Sequence, residues 1–246
     1  MTHAVIYVRG PMDTVADLEI LSKGDLEISG RLVDASNATL FGTLTVDEVT
    51  MNCIYKPIAG ERPLWDFPDG QLAHREYAAY LVSEFLGFEI VPPTVLRDGP
   101  YGLGMVQKWI DIDEDIDLAE YFSRDDSQLR KMALFDALIN NTDRKIGHLL
   151  PAKNGHLFGC DHGVTFHTED KLRTVLWQWA GDQFNTLELE ILTFLLDSFE
   201  DLKVRLTNYL TTDEIQTLGL RAHQLLQEKS FPLPNPNWPS IPWPAF

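Results

Sequence analysis

Two aspartates in this chain stand in settings suited to phosphoryl transfer. Asp143 follows an apolar helical stretch in Asn140-Asn141-Thr142-Asp143-Arg144-Lys145-Ile146-Gly147-His148, and Asp161 lies eighteen residues on in Gly159-Cys160-Asp161-His162-Gly163. In such a centre one carboxylate faces an acceptor hydroxyl, orienting it or taking its proton, while the other chelates Mg²⁺ on ATP. Lys56 and Glu76 supply a second pair. A lysine on a strand, twenty residues ahead of a glutamate on a helix, can form the ion pair that fixes an ammonium against the α- and β-phosphates of ATP. Taken singly these residues carry little weight, because strand-edge lysines and helix-face glutamates usually meet water.

The elements that must position them can be read from periodicity and punctuation. Residues Leu26 to Ile58 alternate with period two and predict an antiparallel three-stranded meander that ends near Lys56. Its first turn contains Ser36-Asn37-Ala38-Thr39, small and polar residues whose N–H groups and hydroxyls could lie against phosphates, although such turns are common without a ligand. Helical spacing over Gln71 to Phe85 places Glu76 mid-helix. Strands are predicted at Ile90 to Leu96 and Gly102 to Trp109, a helix at Ser127 to Asn140, a tight hairpin at His156 to Thr165, and helices at about Leu187 to Tyr209 and Thr212 to Lys229. The Asp111 to Asp117 run reads as a solvated linker dividing residues 1–110, a nucleotide-binding sheet lobe, from residues 111–246, a helical lobe with catalytic and metal-binding loops. Six prolines in the last sixteen residues predict an extended surface tail with docked Trp rings. The Trp65 to Phe67 loop can be a lid over the phosphates or a clasp between lobes.

Together, Asn-Asn-Thr-Asp143-Arg-Lys-Ile-Gly-His148 and Cys160-Asp161-His-Gly163 resemble the catalytic and metal-binding segments of the phosphatidylinositol 3-/4-kinase superfamily, particularly its small bacterial members, and of HipA-like kinases. The similarity extends to Ile54-Tyr55-Lys56-Pro57, to Arg75-Glu76-Tyr77-Ala78-Ala79-Tyr80-Leu81 and to Val91-Pro92-Pro93-Thr94, and it covers about Leu26 to Phe166. More closely, the Ser36 turn, the Pro63 to Pro68 loop and the Asp143 loop look like an actinobacterial group of kinase-like proteins.

The resemblance implies an α+β, two-lobed atypical protein-kinase-like fold, and an ATP- and Mg²⁺- or Mn²⁺-dependent kinase acting on a protein Ser/Thr or a small polyol. Asp143 would be the catalytic aspartate, Lys56 the phosphate-binding lysine and Glu76 its helical partner. Ser36, Asn37, Ala38 and Thr39 would lie over the phosphates, and Met105 to Lys108, with Met105, Val106 and Gln107 foremost, would be the hinge that meets adenine through its backbone. Asp161 would hold metal together with His148, which stands where the family usually has Asn. Imidazole suits Mn²⁺ or Zn²⁺ better than Mg²⁺, so this departure leaves room for a nucleotide-binding pseudokinase. An AMP transferase on the same fold is a further alternative.

Asp136, inside the preceding helix, is expected to brace the loop through Arg144, with a role as a shared base as the alternative. His156, Cys160, His162 and His167 could make a soft metal site, but their spacing fits no zinc module. The net charge of −17, from 37 acidic and 20 basic residues, argues against nucleic acid or anionic membrane partners, which require basic patches. Two distant cysteines and the absence of a secretion-type N-terminus lead to the expectation of a reduced, cytoplasmic protein whose partners are ATP and an acceptor yet to be identified.

Overall fold

The alternation of residues 26–58 produces the expected meander. In a computed structural model, which describes residues 12–32, 38–67 and 71–246, strands β1 (Asp25–Arg31), β2 (Leu40–Val46) and β3 (Val49–Pro57) pair antiparallel. With β4 (Thr94–Gly99) and β5 (Gly102–Lys108) they form a five-stranded sheet in the order β1-β2-β3-β5-β4. β4 begins four residues later than predicted, just past Pro92-Pro93, where two missing N–H donors cannot join a ladder.

A helix not anticipated from the sequence, α1 (Met12–Lys23), covers one face of the sheet, where Leu18 and Leu21 meet Leu44, Cys53, Tyr55, Val95 and Val106. Helix α2 (Leu72–Phe85) belongs elsewhere. Ala78, Ala79, Tyr80 and Val82 join the larger core built with α4 (Ser127–Ile139), α5 (Thr186–Asp197), α6 (Phe199–Leu206) and α7 (Thr212–Glu228), after a short α3 (Leu118–Tyr121). The sheet lobe thus has its own small core, and its cleft-side helix is buried with the other lobe. The architecture is the α+β, two-lobed arrangement expected.

Side chains at the helix ends explain the boundaries. In the acidic segment Asp117 caps α3, and Asp126 caps α4 by accepting from Gln128 and Leu129 N–H. α4 ends at Asn140 in the left-handed region (φ 52°), which turns the chain toward Asp143. Three expectations need correction. The hairpin is β6 (Leu149–Pro151) with β7 (Leu157–Gly159), upstream of the predicted position. Positive φ at Asp161 and Phe166 (58° and 63°) makes the following residues an irregular loop instead of a strand. The predicted 187–209 helix breaks at Ser198 into α5 and α6, while α7 starts at Thr212 as expected, behind a capping box of Thr211 and Glu214.

The proline-rich tail crosses the surface in extended form. Ser240 C=O accepts from Thr174 N–H and Trp177 Nε1–H, and Ala245 C=O accepts from Ile146 N–H beside the Asp143 loop. Trp238 is half-buried, but Trp243 is 92% exposed, so only one of the two tail tryptophans docks.

Candidate active site

The scaffold beneath the site is a buried ion pair. Asp136 and Arg144 are both fully buried, and the Arg144 guanidinium donates to Asp136 from Nε and Nη2. Arg144 also donates to Cys160 C=O and to His162 Nε2, while Asp136 accepts from Asn141 Nδ2 and Thr174 Oγ1. Asp136 is therefore a brace: its carboxylate has no room for an acceptor hydroxyl. Because Arg144 follows Asp143 and His162 follows Asp161, this one network fixes the spacing of both loops. His162 N–H then donates to Glu76 Oε2 at 2.9 Å, joining the loops to α2.

Above this scaffold Lys56 stands at the end of β3. Gly104 on β5 allows the close approach, since a Cβ there would lie 2.5 Å from Lys56 C=O. The Lys56 ammonium donates to Glu76 Oε1 at 2.5 Å and to Asp161 Oδ1, linking a strand, a helix and a loop from distant parts of the chain. Burial alone would push the Lys56 pKa down, but the Asp161 and Glu76 carboxylates outweigh it and hold it above the usual lysine value. Lys56 in turn holds the Asp161 carboxyl far below the usual range, with His148 adding to the effect. Asp161 adopts the left-handed conformation (φ 58°) that Asp tolerates better than most residues, as functional loops often require.

His148 Nε2 lies 3.4 Å from Asp161 Oδ2, and its Nδ1 accepts the Lys145 N–H. A neutral ring in this setting carries its proton on Nε2, facing Asp161. Burial pushes the His148 pKa down to about 4, so the ring is neutral near pH 7. Asp143 lies between two cations, with Lys145 Nζ at 3.6 Å and Arg173 Nη2 at 3.4 Å. Burial raises its pKa, Lys145 and Arg173 oppose the rise, and Asp161 adds to it. Asn141 Oδ1 accepts the Asp143 N–H and fixes the loop.

Lys56, Glu76, Asp161, His148 and Asp143 thus come together. Ser36 and Asn37 lie outside the described residues. Ala38 packs on Gly60, just past Lys56, and Thr39 is buried, its C=O accepting from Leu32 N–H. Met105, Val106 and Gln107 are a correction. They lie inside β5, paired with β3 on one side and β4 on the other, and the Gln107 amide donates to Thr94 Oγ1. Their main-chain groups are committed to the two ladders, which leaves none free to bond adenine as the expected hinge would require.

His156, Cys160, His162 and His167 do not converge: His156 bonds Glu89 C=O, His162 bonds Arg144 and His167 bonds Lys171. The Trp65 loop is a clasp at Phe67, whose ring meets His167 edge-on and lies under the Arg75 guanidinium. Trp65 itself is 84% exposed beside Lys171. Arg173, which also donates to Thr142 C=O, is the contact to Asp143 that sequence reasoning missed. It is thirty residues downstream in an irregular segment, and no motif marks it.

Among the described residues, no group of three or more His, Cys, Asp and Glu side chains is arranged to hold a metal ion. Asp161 fits a Mg²⁺ or Mn²⁺ ion of the kind that takes one or two carboxylates and completes its shell with phosphates and water. His148 fits only with its ring proton moved from Nε2 to Nδ1.

No known protein-family profile matches the chain. Its fold is that of atypical kinases. Fam20 from hydra, solved with sugar, superposes with a TM-score of 0.62 at 14% identity, covering 90% of this chain and 89% of that one. The Golgi casein kinase, solved with Mn and ADP bound, superposes at 0.57 and 14%, covering 87% and 75%. In sequence the chain is 42% identical over 263 residues to protein Rv2133c of Mycobacterium tuberculosis, covering 92% of this chain and 94% of that protein, and it belongs to that protein's family.

Proposed function

We propose that the protein is an ATP- and divalent-metal-dependent phosphotransferase acting on an alcohol, either a protein Ser/Thr side chain or a small polyol. The observation that carries this reading is the Lys56 ammonium clasped between Glu76 and Asp161, with Asp143 within electrostatic reach of Asp161. Lys56 would bind the α- and β-phosphates, with Glu76 holding it in place. Asp143 would orient the acceptor hydroxyl and take its proton, and its raised pKa brings it closer to the operating pH of a base. Asp161, with His148 beside it, would hold Mg²⁺ or Mn²⁺, which when bound offsets charge on the phosphates. The turn from Ser36 to Thr39 would cover the nucleotide, and we place the division between lobes near residue 110.

Kinship with phosphatidylinositol 3-/4-kinases or HipA-like kinases rests on the Asp143 and Asp161 motifs and selects no acceptor. The net charge of −17 supports an acceptor other than nucleic acid or an anionic bilayer. Among the described residues no helix is long and apolar enough to cross a membrane. A cytoplasmic setting is supported by Cys53 and Cys160, free thiols whose pKa values burial pushes up to about 11 and about 12.

One observation favours a second reading, a nucleotide-binding pseudokinase: as hydrogen-bonded, the His148 Nε2 that faces Asp161 carries a proton and cannot ligate metal. Calorimetry with ATP and either metal, followed by product analysis and intact mass, separates the readings. The expected results are ADP release and phosphate transfer in wild type, loss of at least about a hundredfold in turnover with binding kept in Asp143→Asn, and loss of metal-dependent binding in Asp161→Ala. Binding without turnover in either metal sinks the phosphotransferase reading, and an AMP adduct identifies the AMP transferase.

A further inference from the structure

Helix α2 carries Glu76, yet the N-terminal half of the helix is fastened to the helical lobe. Arg75 donates from Nε and Nη2 to Glu214 Oε1 at 3.1 and 2.5 Å, and both side chains are nearly fully buried. Glu214 is saturated, since its other oxygen accepts the Thr211 N–H and hydroxyl at 2.8 and 3.0 Å. Its charge also sits at the N-terminus of α7, where the helix dipole favours an anion. Tyr209, just before α7, packs edge-on against Tyr77 and His74 of α2. On the Asp161 loop, a Cβ at Gly163 would lie 3.3 Å from Leu72 Cβ, a tight contact that a shift of a few tenths of an ångström would relieve, and 3.7 Å from Glu76 Cγ, so α2 packs closely on this loop. From the sheet lobe, the Glu61 carboxylate accepts the Leu72 and Ala73 N–H groups at the start of the helix.

Arg75 and Glu76 are neighbours about 100° apart around the helix axis. One faces Glu214 and the other faces Lys56, so any rotation of α2 that withdraws Glu76 from Lys56 must pull Arg75 from Glu214. A buried ion pair persists only when its geometry and remaining hydrogen bonds offset desolvation, and here two bonds from Arg75 to one Glu214 oxygen are joined by two from Thr211 to the other.

We propose that Arg75 and Glu214 form a positioning pair that clamps α2 to the helical lobe and holds Glu76 on Lys56 and on the His162 N–H, so that the Lys56–Glu76 pair is preformed in the isolated chain. The functional meaning rests on the phosphotransferase reading above, but the clamp itself can be tested without it.

Amide exchange on the full chain, together with ADP titration in Mn²⁺, tests the clamp in Arg75→Met and Arg75→Lys, with Glu214→Gln as a milder break should Arg75→Met not fold. In the clamp-breaking variants, exchange at the His162 amide and the first two turns of α2 is expected to speed up about tenfold more than at α4, and ADP affinity to fall about tenfold. Arg75→Lys should recover part of both. Exchange that rises evenly across the chain, with ADP affinity unchanged, overturns the proposal and leaves the pair a purely structural one. If wild type binds no nucleotide the phosphotransferase reading fails, and the site-selective exchange still decides the clamp.

Discussion

Lys56→Met is the substitution whose cost can be worked most directly from the site. The ammonium bonds Glu76 Oε1 at 2.5 Å and also bonds Asp161 Oδ1; methionine fills a similar volume without charge. Glu76, nearly fully buried, then keeps only the His162 N–H on its other oxygen. Breaking a buried pair by removing one partner costs about 3–5 kcal/mol. Asp161 is 49% exposed and rehydrates, so the penalty falls on Glu76 and the lower end applies, about 3 kcal/mol. For a chain of this length that corresponds to roughly 6–12 °C in melting temperature. Urea and thermal unfolding at pH 7 without metal measure it. The pH dependence is a second signature. The Asp161 carboxyl, which Lys56 holds below its usual range in the folded state, contributes stability above an unfolded pKa of about 3.9, and loses it as pH falls through the folded value. The gap between wild type and variant should therefore narrow on acidification below about pH 4. Equal unfolding midpoints at pH 7, or ADP binding in Mn²⁺ as tight as in wild type, would refute the reasoning.

Lys145→Met removes a cation that holds down a carboxyl already raised by burial, so the acid limb of the turnover–pH profile should move to higher pH; an unmoved limb counts against Asp143 as the base. Arg144→Met should cost about 3–5 kcal/mol in urea unfolding because Asp136 stays buried without its partner, and Asp136→Leu combined with Arg144→Met should cost less than either change alone; additive costs would contradict a closed ion pair. His148→Asn removes a ring whose pKa burial depresses from about 6.5 to about 4, so wild type should lose up to about 3 kcal/mol of stability relative to the variant as pH falls across that window. The same variant should favour Mg²⁺ over Mn²⁺ in nucleotide titrations, since an amide oxygen is the harder ligand; an unchanged metal preference would remove His148 from the metal site.

What was legible in the sequence follows from where rigidity comes from. Lys56 and Glu76 sit on a strand and a helix whose periods are set by burial, so their meeting could be inferred from residue type and spacing. Asp143 and Asp161 could be inferred because a capped helix end and a tight hairpin leave the chain few paths between them. The pairing of Met105 to Gln107, the residues expected to form an adenine hinge, could not be. Whether Met105 to Gln107 have free backbone groups depends on strands pairing on both sides of β5, and β4 is placed late by the Pro92-Pro93 pair. Arg173 was hidden for a related reason, reaching Asp143 from an irregular segment held by a bridge between Arg144 and Thr174 and by the tail. Helix α1 was missed because few of its residues pack on the sheet: Leu18 and Leu21 do, whereas Val15 is mostly exposed.

Composition misleads about this site in an instructive way. A net charge of −17 describes the surface as a whole, but Lys56, Arg144, Lys145 and Arg173 converge on the Asp143 and Asp161 loops. Most of this local charge is already matched, Lys56 by Glu76 and Asp161, Arg144 by Asp136, and Lys145 and Arg173 by Asp143. Such a cleft does not present a basic patch to a passing polyanion. It offers cations only to a ligand able to replace the carboxylates that hold them, and Asp161, half exposed and held in a left-handed conformation, is the partner most easily exchanged. Lys56 spends two of its three ammonium donors on Glu76 and Asp161, so in the proposed reading a nucleotide phosphate would reach Lys56 most readily once a divalent ion takes over Asp161. The acidity that argues against nucleic acid and membranes is therefore compatible with selective binding of a nucleotide accompanied by a divalent ion.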